Sequence, residues 1–389
     1  MKILEVTPYF DPAWAYGGTP STVSELSYAL ARRGHQITVL TTDALAQNAR
    51  MPSVISKNDL EIHYLRNVSN YMVWHHQLLL PVGIVSFLRK HLRDFDLVHL
   101  HGFRTYLNVV AHRYSLKQEI PYVFSAHGGI PQIVRKIAAK RVFDSLFGQR
   151  ILEDASRLIA VSEAEKIQYA SLGISASKIA VVYNGVRLKD YEDLPPRGAF
   201  IRRYRIEGKK LITYMGRLNA RKGLDTLVKA FHQLAETRDD ISLALVGPDD
   251  GYRRTLEKLI EDLRPRAPIF FPGLVTMPEK LRVLVDSDVV VYPGAYEIFG
   301  LVPFEALLCG KPVVVADDSG CGEIVGKARA GFVVPYGDEA RLAEAIKEAL
   351  AGSKEVENMV DRGRAFVLQR LDWDRLSGEI EGVYLEALS

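Results

Sequence analysis

This sequence has few cysteines, no long apolar run and little net charge of either sign. Its 389 residues include only Cys309 and Cys321, which excludes a disulfide framework and fits a reducing compartment. Nowhere do eighteen apolar residues run together, so we expect no membrane-spanning helix. The start of the chain has no basic stretch before a long apolar run, so we expect no signal peptide. Together these absences predict a cytoplasmic protein.

The charge and composition argue against a nucleic-acid-binding function. The formal net charge is only +3, and Lys and Arg are spread along the chain rather than clustered. We therefore expect no nucleic-acid partner, although a phosphate-bearing substrate would need only a few local cations. With 48% hydrophobic and 25% charged residues, the composition is that of an ordinary soluble globular protein, long enough for two domains with separate cores.

Short apolar segments alternate with helical patterns in the first half, which predicts a doubly wound α/β fold. Residues 3–6 are typical of a strand, and a loop containing Gly17 and Gly18 separates them from a helix predicted at 20–33, with Thr19 as its N-cap. The two glycines either form a turn that requires positive φ or leave the backbone bare for a diphosphate, and the residues alone leave both alternatives open. This Rossmann-like start has no G-x-G-x-x-G sequence.

The rest of the first half continues the alternation. Residues 67–80 are predicted to form a loop and residues 82–92 a helix, while Ser162 and Glu165 have the spacing of a capping box. Further strands are predicted at 36–41, 60–65, 97–100, 122–125, 158–161 and 179–183.

The second half repeats this organisation after a linker marked by Pro195, Pro196 and Gly198. We expect an N-terminal domain at 1–190, a C-terminal domain at 191–370 and a final helix at 371–389 that packs back toward the N-terminal domain. The pattern predicts strands at 211–215, 243–246, 269–271, 289–292, 312–316 and 331–334, a helix ending near 235, helices at 252–263 and 301–308, and three more helices before the C-terminus.

The stretch 289–316 carries the strongest chemical signal. A strand, a loop, a helix and a second strand follow one another there, and Glu297 and Glu305 lie at the strand-to-helix corner. Ligands bind at such corners in open α/β sheets. The free N–H groups of residues 299–302 would face the same space and favour an anion.

The same stretch resembles the C-terminal signature of retaining glycosyltransferases of family four, E-x-F-G-L-x-x-x-E-A followed by G-x-P-V-V. This resemblance extends over nearly the whole chain. It implies the GT-B fold, with two Rossmann-like doubly wound domains facing a cleft, and transfer of a hexose-type sugar from a nucleotide-diphosphate donor with retention. The signature consists of Glu297, Phe299, Gly300, Leu301, Glu305, Ala306, Gly310, Pro312, Val313 and Val314.

Motifs elsewhere extend the resemblance. Gly17 and Gly18 match a glycine loop whose backbone would meet the donor diphosphate, and Gly273 matches a loop beside the nucleobase. His127 matches a histidine that lies close to the donor sugar, although a lone histidine is more often a satisfied core residue. The chain departs from the family at Gly128, where Asp often follows the histidine, and this departure concerns the handling of the acceptor.

Two cations and two carboxylates complete the implied site. Arg217 and Lys222 match G-R-L-x-x-x-K-G, whose Arg and Lys hold the diphosphate, while Glu297 would face the donor sugar and Glu305 would bind the ribose hydroxyls. The predicted catalytic residues are His127, Arg217, Lys222 and Glu297, and the predicted substrate-binding residues are Gly17, Gly18, Gly273, Phe299, Gly300, Leu301 and Glu305.

These residue types also suit the chemistry by themselves. Breaking a sugar–phosphate bond leaves negative charge on the departing diphosphate, which Arg217 could bind bidentately and Lys222 as a point charge. The alternative for both is a solvated loop. No metal-ligand cluster is visible in the sequence, so we expect no metal and no cofactor besides the donor substrate.

Two other enzyme classes stay open as alternatives. Gly320, Cys321, Gly322 and Gly326 form G-x-G-x-x-x-G after a strand, which nearly matches a dinucleotide fingerprint and would suit an NAD(P) oxidoreductase. A GT-B sugar-nucleotide epimerase would share the donor pocket of a transferase.

The expected partners are a nucleotide-sugar donor and a glycan, lipid-linked or small-molecule acceptor. Residues 131–150 mix basic and apolar side chains, which fits either peripheral contact with the cytoplasmic face of a membrane or a solvated connecting helix. The basic residues concerned are Arg135, Lys136, Lys140, Arg141 and Arg150.

Overall fold

Strands and helices alternate along the computed structural model, which describes residues 1–46, 49–57, 60–76, 78–132, 136–206, 209–318 and 320–389. The chain forms two compact units: unit 1 consists of Met1–Gly185 with Trp373–Ser389, and unit 2 of Val186–Asp372. Each unit has its own mainly parallel sheet with helices beside it, so the predicted α/β class is confirmed. Cys309 and Cys321 are buried free thiols.

Unit 1 is built on a large sheet with its first strand near the middle. The strands are β1 (Lys2–Val6), β2 (Gln36–Thr42), β3 (Ala44–Ala46), β4 (Ala49–Arg50), β5 (Val54–Lys57), β6 (Leu60–Leu65), β7 (Leu97–His101), β8 (Tyr122–Ser125), β9 (Arg157–Ala160) and β10 (Ile179–Val181). The sheet order is β10-β9-β8-β7-β1-β2-β6-β5, with β5 antiparallel to β6, and β3 pairs separately with β4. The chain therefore changes its winding direction at β1, between β2 and β7, and the carboxyl ends of β1 and β7 meet at one edge.

Two predictions about the helices of unit 1 are wrong. The helices are α1 (Gly18–Arg32), α2 (Asn70–His76), α3 (Ile84–His91), α4 (Tyr106–Gln118), α5 (Ile137–Phe143), α6 (Gln149–Glu153) and α7 (Glu163–Ser171), and a π-helical segment (Asp144–Gly148) joins α5 to α6. Thr19 is not an N-cap: α1 begins at Gly18, and Gly17 occupies the N-cap position. The loop predicted at 67–80 contains α2, whose Asn70 amide donates to the Ala49 carbonyl at 3.0 Å.

Unit 2 has the strand order of a nucleotide-binding sheet. Its strands are β11 (Lys210–Met215), β12 (Ile241–Val246), β13 (Ile269–Gly273), β14 (Val289–Tyr292), β15 (Val313–Ala316) and β16 (Phe332–Val334). They are all parallel, in the order β13-β12-β11-β14-β15-β16. The β-branched run of β14 is completely buried, as a central parallel strand requires. The switch point lies between β11 and β14.

Eight helices of unit 2 alternate with these strands or follow them within the described residues. They are α8 (Ala199–Tyr204), α9 (Leu224–Ala235), α10 (Arg253–Leu263), α11 (Glu279–Asp286), α12 (Leu301–Leu308), α13 (Gly320–Ala328), α14 (Glu339–Ala351) and α15 (Lys354–Arg370). The bounds of α12 are those predicted from the sequence. Helices α8, α11 and α13 were not predicted, because their short sequences offer no long apolar period.

The last helix, α16 (Trp373–Leu388), belongs to unit 1 and supplies part of its core. Trp373 and Tyr384 are buried with apolar residues of α1 and of the central strands. At the surface, the Arg33 guanidinium donates to Glu381 at 2.9 Å and Arg32 donates to Asp374 at 2.7 Å. The core of unit 1 is therefore completed by the final residues of the chain.

Candidate active site

Two loops meet at the switch point of unit 2, one after β11 and one after β14. Gly223 has a φ of +61°, and a Cβ added there would lie 2.2 Å from the Pro293 carbonyl oxygen. Only glycine allows this approach, because any side chain would collide with the opposing backbone. The Ala295 N–H donates to the Arg221 carbonyl at 2.7 Å and ties the loops together.

This approach brings together Lys222 and Glu297, which are 75 residues apart in the sequence. The Lys222 ammonium contacts the Oε1 atom of Glu297, and the Tyr292 hydroxyl donates to Oε2 at 2.8 Å. The ammonium also lies 5.5 Å from the centre of the Tyr292 ring. Burial, followed by the Glu297 charge, raises the pKa of Tyr292, so its hydroxyl stays a donor. Lys222 and Glu297, both predicted to be catalytic, therefore form an ion pair with each other within one cluster.

Arg217 lies in the same loop as Lys222 but faces a different partner. Its guanidinium pairs with the Asp250 carboxylate at 3.0 Å, and 38% of its side chain is exposed. The Asn219 amide donates to the other oxygen of Asp250 at 2.7 Å. Exposed ion pairs of this kind contribute little to stability, so a more highly charged ligand could displace Asp250.

Glu305 lies on α12 in a buried position. Its Oε1 atom is 2.5 Å from the Lys280 ammonium, whereas its Oε2 atom has no hydrogen-bond partner within the described residues. Tyr191 lies beside it, and burial followed by the Glu305 charge raises the pKa of that phenol. Lys280 and Tyr191 were missed from the sequence, because no motif connects α11 or the residues near 190 with this glutamate.

The start of α12 has open backbone donors. Gly300 occupies the N-cap position with a φ of +72°, and the described residues provide no side-chain cap there. Leu301 is the first helical residue, as predicted. The Phe299 side chain is buried with its ring centre 5.2 Å from that of Phe304, so it serves packing. The helix N-terminus would favour an anion through its backbone alone.

Of the remaining predicted glycines, Gly17 and Gly273 have a positive φ, whereas Gly18 does not. Gly273 ends β13 with a φ of +81°, and its carbonyl accepts from the Gly247 N–H at 2.8 Å. In unit 1, Gly17 has a φ of +111° and Gly18 begins α1. A Cβ added at Gly17, Gly18 or Gly273 would meet no atom within 4 Å, so the backbone is open on that side. The open space is compatible with both alternatives left by the sequence.

His127 follows β8 in unit 1, in a strained loop. Its φ is +49°, a left-handed conformation that is uncommon outside glycine and concentrates at functional sites. The His127 Nε2 atom is 2.9 Å from Nδ1 of His101, with the two rings stacked at 5.2 Å. Burial, followed by the charge of His101, lowers the pKa of His127 to about 3, so the ring is neutral near pH 7.

Behind His127 lies a chain of buried polar groups that sequence reasoning did not find. The Nε2 atom of His101 is bonded to Glu5 of β1, which is completely buried. The Tyr384 hydroxyl donates to the other oxygen of Glu5 at 3.3 Å and lies 2.7 Å from Nδ1 of His99. The signal available was His-x-His at the end of a strand, because alternate strand residues share one face.

Carboxylate and imidazole groups so close together could in principle hold a metal ion, and Glu5, His99 and His101 form such a group. Each of their facing atoms is already hydrogen-bonded within the group or to its neighbours: Nε2 of His99, for example, is 2.8 Å from the Ser125 hydroxyl. We therefore interpret the group as a hydrogen-bonded chain. The expectation that no metal takes part stays a prediction.

A second buried carboxylate holds the His127 loop from α7. Glu165 accepts from the Gly128 N–H at 2.6 Å and from the Val161 N–H at 2.8 Å. Burial raises the pKa of Glu165 from 4.5 to about 7, and the two N–H donors partly oppose this rise. Ser162 is the N-cap, as predicted, but Glu165 reaches past its backbone to Val161, so the box is not reciprocal.

Other features of the sequence have structural explanations. The glycines of the near-dinucleotide fingerprint lie in α13, where a Cβ added at Gly322 would be 2.2 Å from the Ala316 carbonyl oxygen, so tight helix–strand packing accounts for Gly322. In the Asp286-Ser287-Asp288 triplet, Asp286 accepts backbone N–H groups at the start of α8, including that of Phe200 at 2.7 Å, and Asp288 pairs with Arg197 at 2.7 Å. Both aspartates therefore have structural roles.

The basic segment at 131–150 is only partly described, because Arg135 lies outside the described residues. The Lys136 ammonium donates to the His76 carbonyl at 2.8 Å, and Val142, Leu146 and Phe147 are exposed. Within the described residues, no helix combines the length and apolar character needed to cross a membrane. Peripheral membrane contact stays a prediction.

Comparison with protein families gives two matches that together span most of the chain. The family described as Glycosyltransferase Family 4 matches residues 16–190, and the family described as Glycosyl transferases group 1 matches residues 197–366. The boundary between the two matches lies near the junction of units 1 and 2.

Individual relatives agree with these matches. An uncharacterized glycosyltransferase of Methanocaldococcus jannaschii is 25% identical over 100% of this chain and 99% of its own. The phosphatidyl-myo-inositol mannosyltransferase of Mycobacterium leprae is 28% identical over 99% of this chain and 96% of its own. Anabaena HepE, whose crystal structure contains UDP, has the same fold, with a TM-score of 0.77, 22% identity and 99% coverage of both chains.

Proposed function

Because the chain belongs to glycosyltransferase family 4 and has the GT-B fold, we propose that it transfers a hexose-type sugar from a nucleoside diphosphate to a hydroxyl acceptor with retention. The acceptor is a glycan, a lipid-linked molecule or a small molecule. The observation that carries this proposal is the Lys222–Glu297–Tyr292 cluster at the switch point of unit 2.

Donor binding would exchange partners within this cluster. A diphosphate carries more negative charge than one carboxylate, so it would compete with Glu297 for Lys222 and with Asp250 for Arg217. Glu297 would then lose its contact with Lys222, and its carboxylate could accept hydrogen bonds from hydroxyl groups of the sugar and orient the ring. The Tyr292 hydroxyl, 2.8 Å from Oε2, would keep the carboxylate in place during this exchange.

The two cations would then stabilise the departing group. Charge develops on the diphosphate as the sugar–phosphate bond breaks, and fixed donors lower that barrier by on the order of 3 kcal/mol each. The acceptor proton would pass to a departing phosphate oxygen, so Glu297 would orient the sugar and not act as a general base. The N-terminus of α12 would contribute its backbone N–H groups to the same anion.

Glu305 would have the separate role of binding the ribose. Its Oε2 atom lies beside the Tyr191 phenol and has no close hydrogen-bond partner in the described part of the chain, so a ligand donor could bind there. Ribose hydroxyls are such donors. Lys280 would hold the other oxygen and fix the carboxylate.

The test is calorimetry with UDP, GDP and ADP in the presence of EDTA, followed by turnover of the corresponding sugar nucleotides. We expect one nucleoside diphosphate to bind without added metal. Glu297→Gln should reduce turnover while nucleotide affinity stays nearly unchanged, and Glu305→Gln should weaken nucleotide binding. Glu339→Gln is the matched control, because Glu339 also pairs with a lysine, Lys229, at 2.7 Å, but on α14.

Two outcomes would contradict the proposal. Nucleotide binding that requires Mg²⁺ or Mn²⁺ would contradict the metal-independent mechanism. Wild-type nucleotide affinity in Glu305→Gln would contradict the assignment of ribose binding to Glu305 and sugar orientation to Glu297. A sugar nucleotide that is isomerised without an acceptor would instead identify an epimerase.

A further inference from the structure

Three aromatic rings from two segments pack together in unit 1, beyond the carboxyl ends of β1 and β6. Tyr9 and Tyr16 belong to the loop after β1, and their rings are stacked with centres 4.0 Å apart. Trp74 of α2 meets Tyr16 with ring centres 5.6 Å apart and planes at 72°, so these two rings are not stacked. Trp74 is 39% exposed. Together the three rings form an apolar surface (the ring surface), part of which faces solvent.

The loop after β1, which carries two of the three rings, is fixed by hydrogen bonds. The Thr42 hydroxyl donates to the Pro8 carbonyl at 2.8 Å. The Asp11 N–H donates to the Ser24 hydroxyl at 3.0 Å, and the Tyr28 hydroxyl donates to the Asp11 carboxylate at 2.9 Å. Ligands bind with a smaller entropy cost to groups that are already ordered. The ring surface is therefore preorganised for a flat apolar partner.

Two buried polar atoms without a partner lie on the same two segments. The Tyr16 hydroxyl has no hydrogen-bond partner within the described residues, and neither has Oδ1 of Asn70, one helical turn before Trp74 on α2. The Asn70 amide is held in place, because it donates to the Ala49 carbonyl at 3.0 Å. Unpaired buried polar atoms are rare in native proteins, since each costs free energy. A ligand with hydroxyl groups can supply the partner that each atom lacks, because a hydroxyl both donates and accepts.

A fixed cation lies next to the ring surface. Burial, followed by the charge of the nearby Asp43 carboxylate, raises the pKa of Tyr16. Asp43 accepts from Nη1 of Arg50 at 2.6 Å, and the same nitrogen donates to the Asn67 carbonyl at 2.8 Å. Nε and Nη2 of Arg50 make no hydrogen bond in the described part of the chain, and 37% of this side chain is exposed. These open donors suit the oxygen atoms of a ligand.

Sugars fit both the apolar and the polar part of this surface. A pyranose ring has C–H faces that pack on aromatic rings, and its hydroxyl groups pair with groups such as Arg50 and Asn70. A lipid chain would also cover the rings, but it would bury the Asp43–Arg50 pair against hydrocarbon, which is costly because hydrocarbon provides no hydrogen bonds. The combination therefore favours a carbohydrate over a membrane.

We propose that the ring surface, together with Arg50, binds a sugar ring of a carbohydrate acceptor. Tyr16 directly precedes Gly17, in the loop that the resemblance to the family assigns to the donor diphosphate. A sugar on this surface therefore lies close to the diphosphate, as an acceptor must. The role as an acceptor rests on the proposed function, whereas the binding of a sugar does not.

The test is a titration of the full-length protein with the methyl α-pyranosides of glucose, mannose and galactose, followed by saturation-transfer NMR. We expect at least one glycoside to bind and its ring protons to receive saturation from the protein. Trp74→Ala should weaken this binding roughly tenfold or more, because the exposed ring is lost. Trp74→Phe keeps an aromatic ring and should retain most of the affinity.

Tyr71→Ala is the matched control for the loss of an exposed aromatic side chain on α2. Tyr71 is 63% exposed, and its ring packs on His75 with centres 4.4 Å apart. This variant should bind the glycoside as the unsubstituted protein does. Backbone dichroism of each variant shows whether the fold is kept, and calorimetry measures UDP affinity in parallel.

Three outcomes would overturn the proposal. The first is that none of the three glycosides binds, and the second is that Trp74→Ala and Tyr71→Ala lose affinity equally. The third is Trp74-dependent binding to phosphatidylglycerol vesicles without glycoside binding, which would identify a membrane contact. Failure of the unsubstituted protein to bind UDP would instead contradict the proposed function, and the glycoside titration would still decide whether the ring surface binds a sugar.

Discussion

Glu165 makes the stability of unit 1 depend on pH in a way that can be calculated. Its pKa is 4.5 ordinarily and about 7 in the folded protein, because burial disfavours the charged form more than the Gly128 and Val161 N–H groups favour it. Between these two values the folded protein keeps a proton that the unfolded chain has released. The stabilising effect of that proton is therefore fully present below pH 4.5 and is lost as the pH rises through 7.

The size of the effect follows from the distance between the two pKa values. One pH unit corresponds to about 1.4 kcal/mol, so ionisation of buried Glu165 costs about 3 kcal/mol once the pH is well above 7. Glu165→Gln keeps an oxygen that can accept from one of the two N–H groups but does not ionise. The changed hydrogen bonds alter the free energy of unfolding of Glu165→Gln by an amount that does not depend on pH. Between pH 4.5 and pH 8.5, its free energy of unfolding should therefore rise by about 3 kcal/mol relative to that of the unsubstituted protein.

The assay is urea unfolding of both proteins over this pH range, with the difference in free energy of unfolding plotted against pH. Tryptophan fluorescence and backbone dichroism should both be recorded, because a protein of two units need not unfold in one step. Glu163→Gln, on the same helix but outside the loop contacts, is the matched control. A difference between Glu165→Gln and the unsubstituted protein that does not change with pH would refute the reasoning.

Three further predictions test other parts of the structure. Gly223→Ala should lower the free energy of unfolding in urea by well over 1 kcal/mol and weaken nucleotide binding, because its Cβ would lie 2.2 Å from the Pro293 carbonyl oxygen. The control is Gly310→Ala, because Gly310 also has a positive φ but an added Cβ there would meet no atom within 4 Å. Equal losses in the two variants would contradict the argument. Ser162→Ala should lower the free energy of unfolding by about 1 kcal/mol through loss of the α7 N-cap, and an unchanged value would show that the cap is dispensable. Proton NMR of the first product formed should show the anomeric configuration of the donor, and an inverted product would exclude a retaining transfer.

Local pattern was sufficient for most of the fold. The bounds predicted for Leu60–Leu65, Tyr122–Ser125, Val289–Tyr292 and Leu301–Leu308 are those of the structure, because buried strands and well-terminated helices are encoded in neighbouring residues. Helix α2 was missed because its stability comes from contacts distant in sequence: Trp74 packs edge-on against Tyr16 with ring centres 5.6 Å apart.

The site was less accessible from the sequence than the fold. The motif residues Lys222 and Glu297 could be named, but their pairing depends on the close approach of two loops that only the strand order produces. The chain from Glu5 to His101 was invisible for the same reason, because β1 and β7 become neighbours only in the folded sheet. Residue type and spacing predict candidates, and non-local topology decides which of them meet.

The return of the chain to unit 1 at Trp373 has a consequence for synthesis on the ribosome. Domains generally fold as units, with the N-terminal one first, as the chain emerges. Here the strands of unit 1 emerge first, but its core waits for Tyr384, whose hydroxyl is bonded to Glu5 and lies 2.7 Å from Nδ1 of His99. Unit 2 is one uninterrupted segment, Val186–Asp372, so all of it leaves the ribosome before Trp373. We therefore expect unit 2 to reach its native structure on the ribosome while unit 1, most of which is synthesised earlier, is still incomplete.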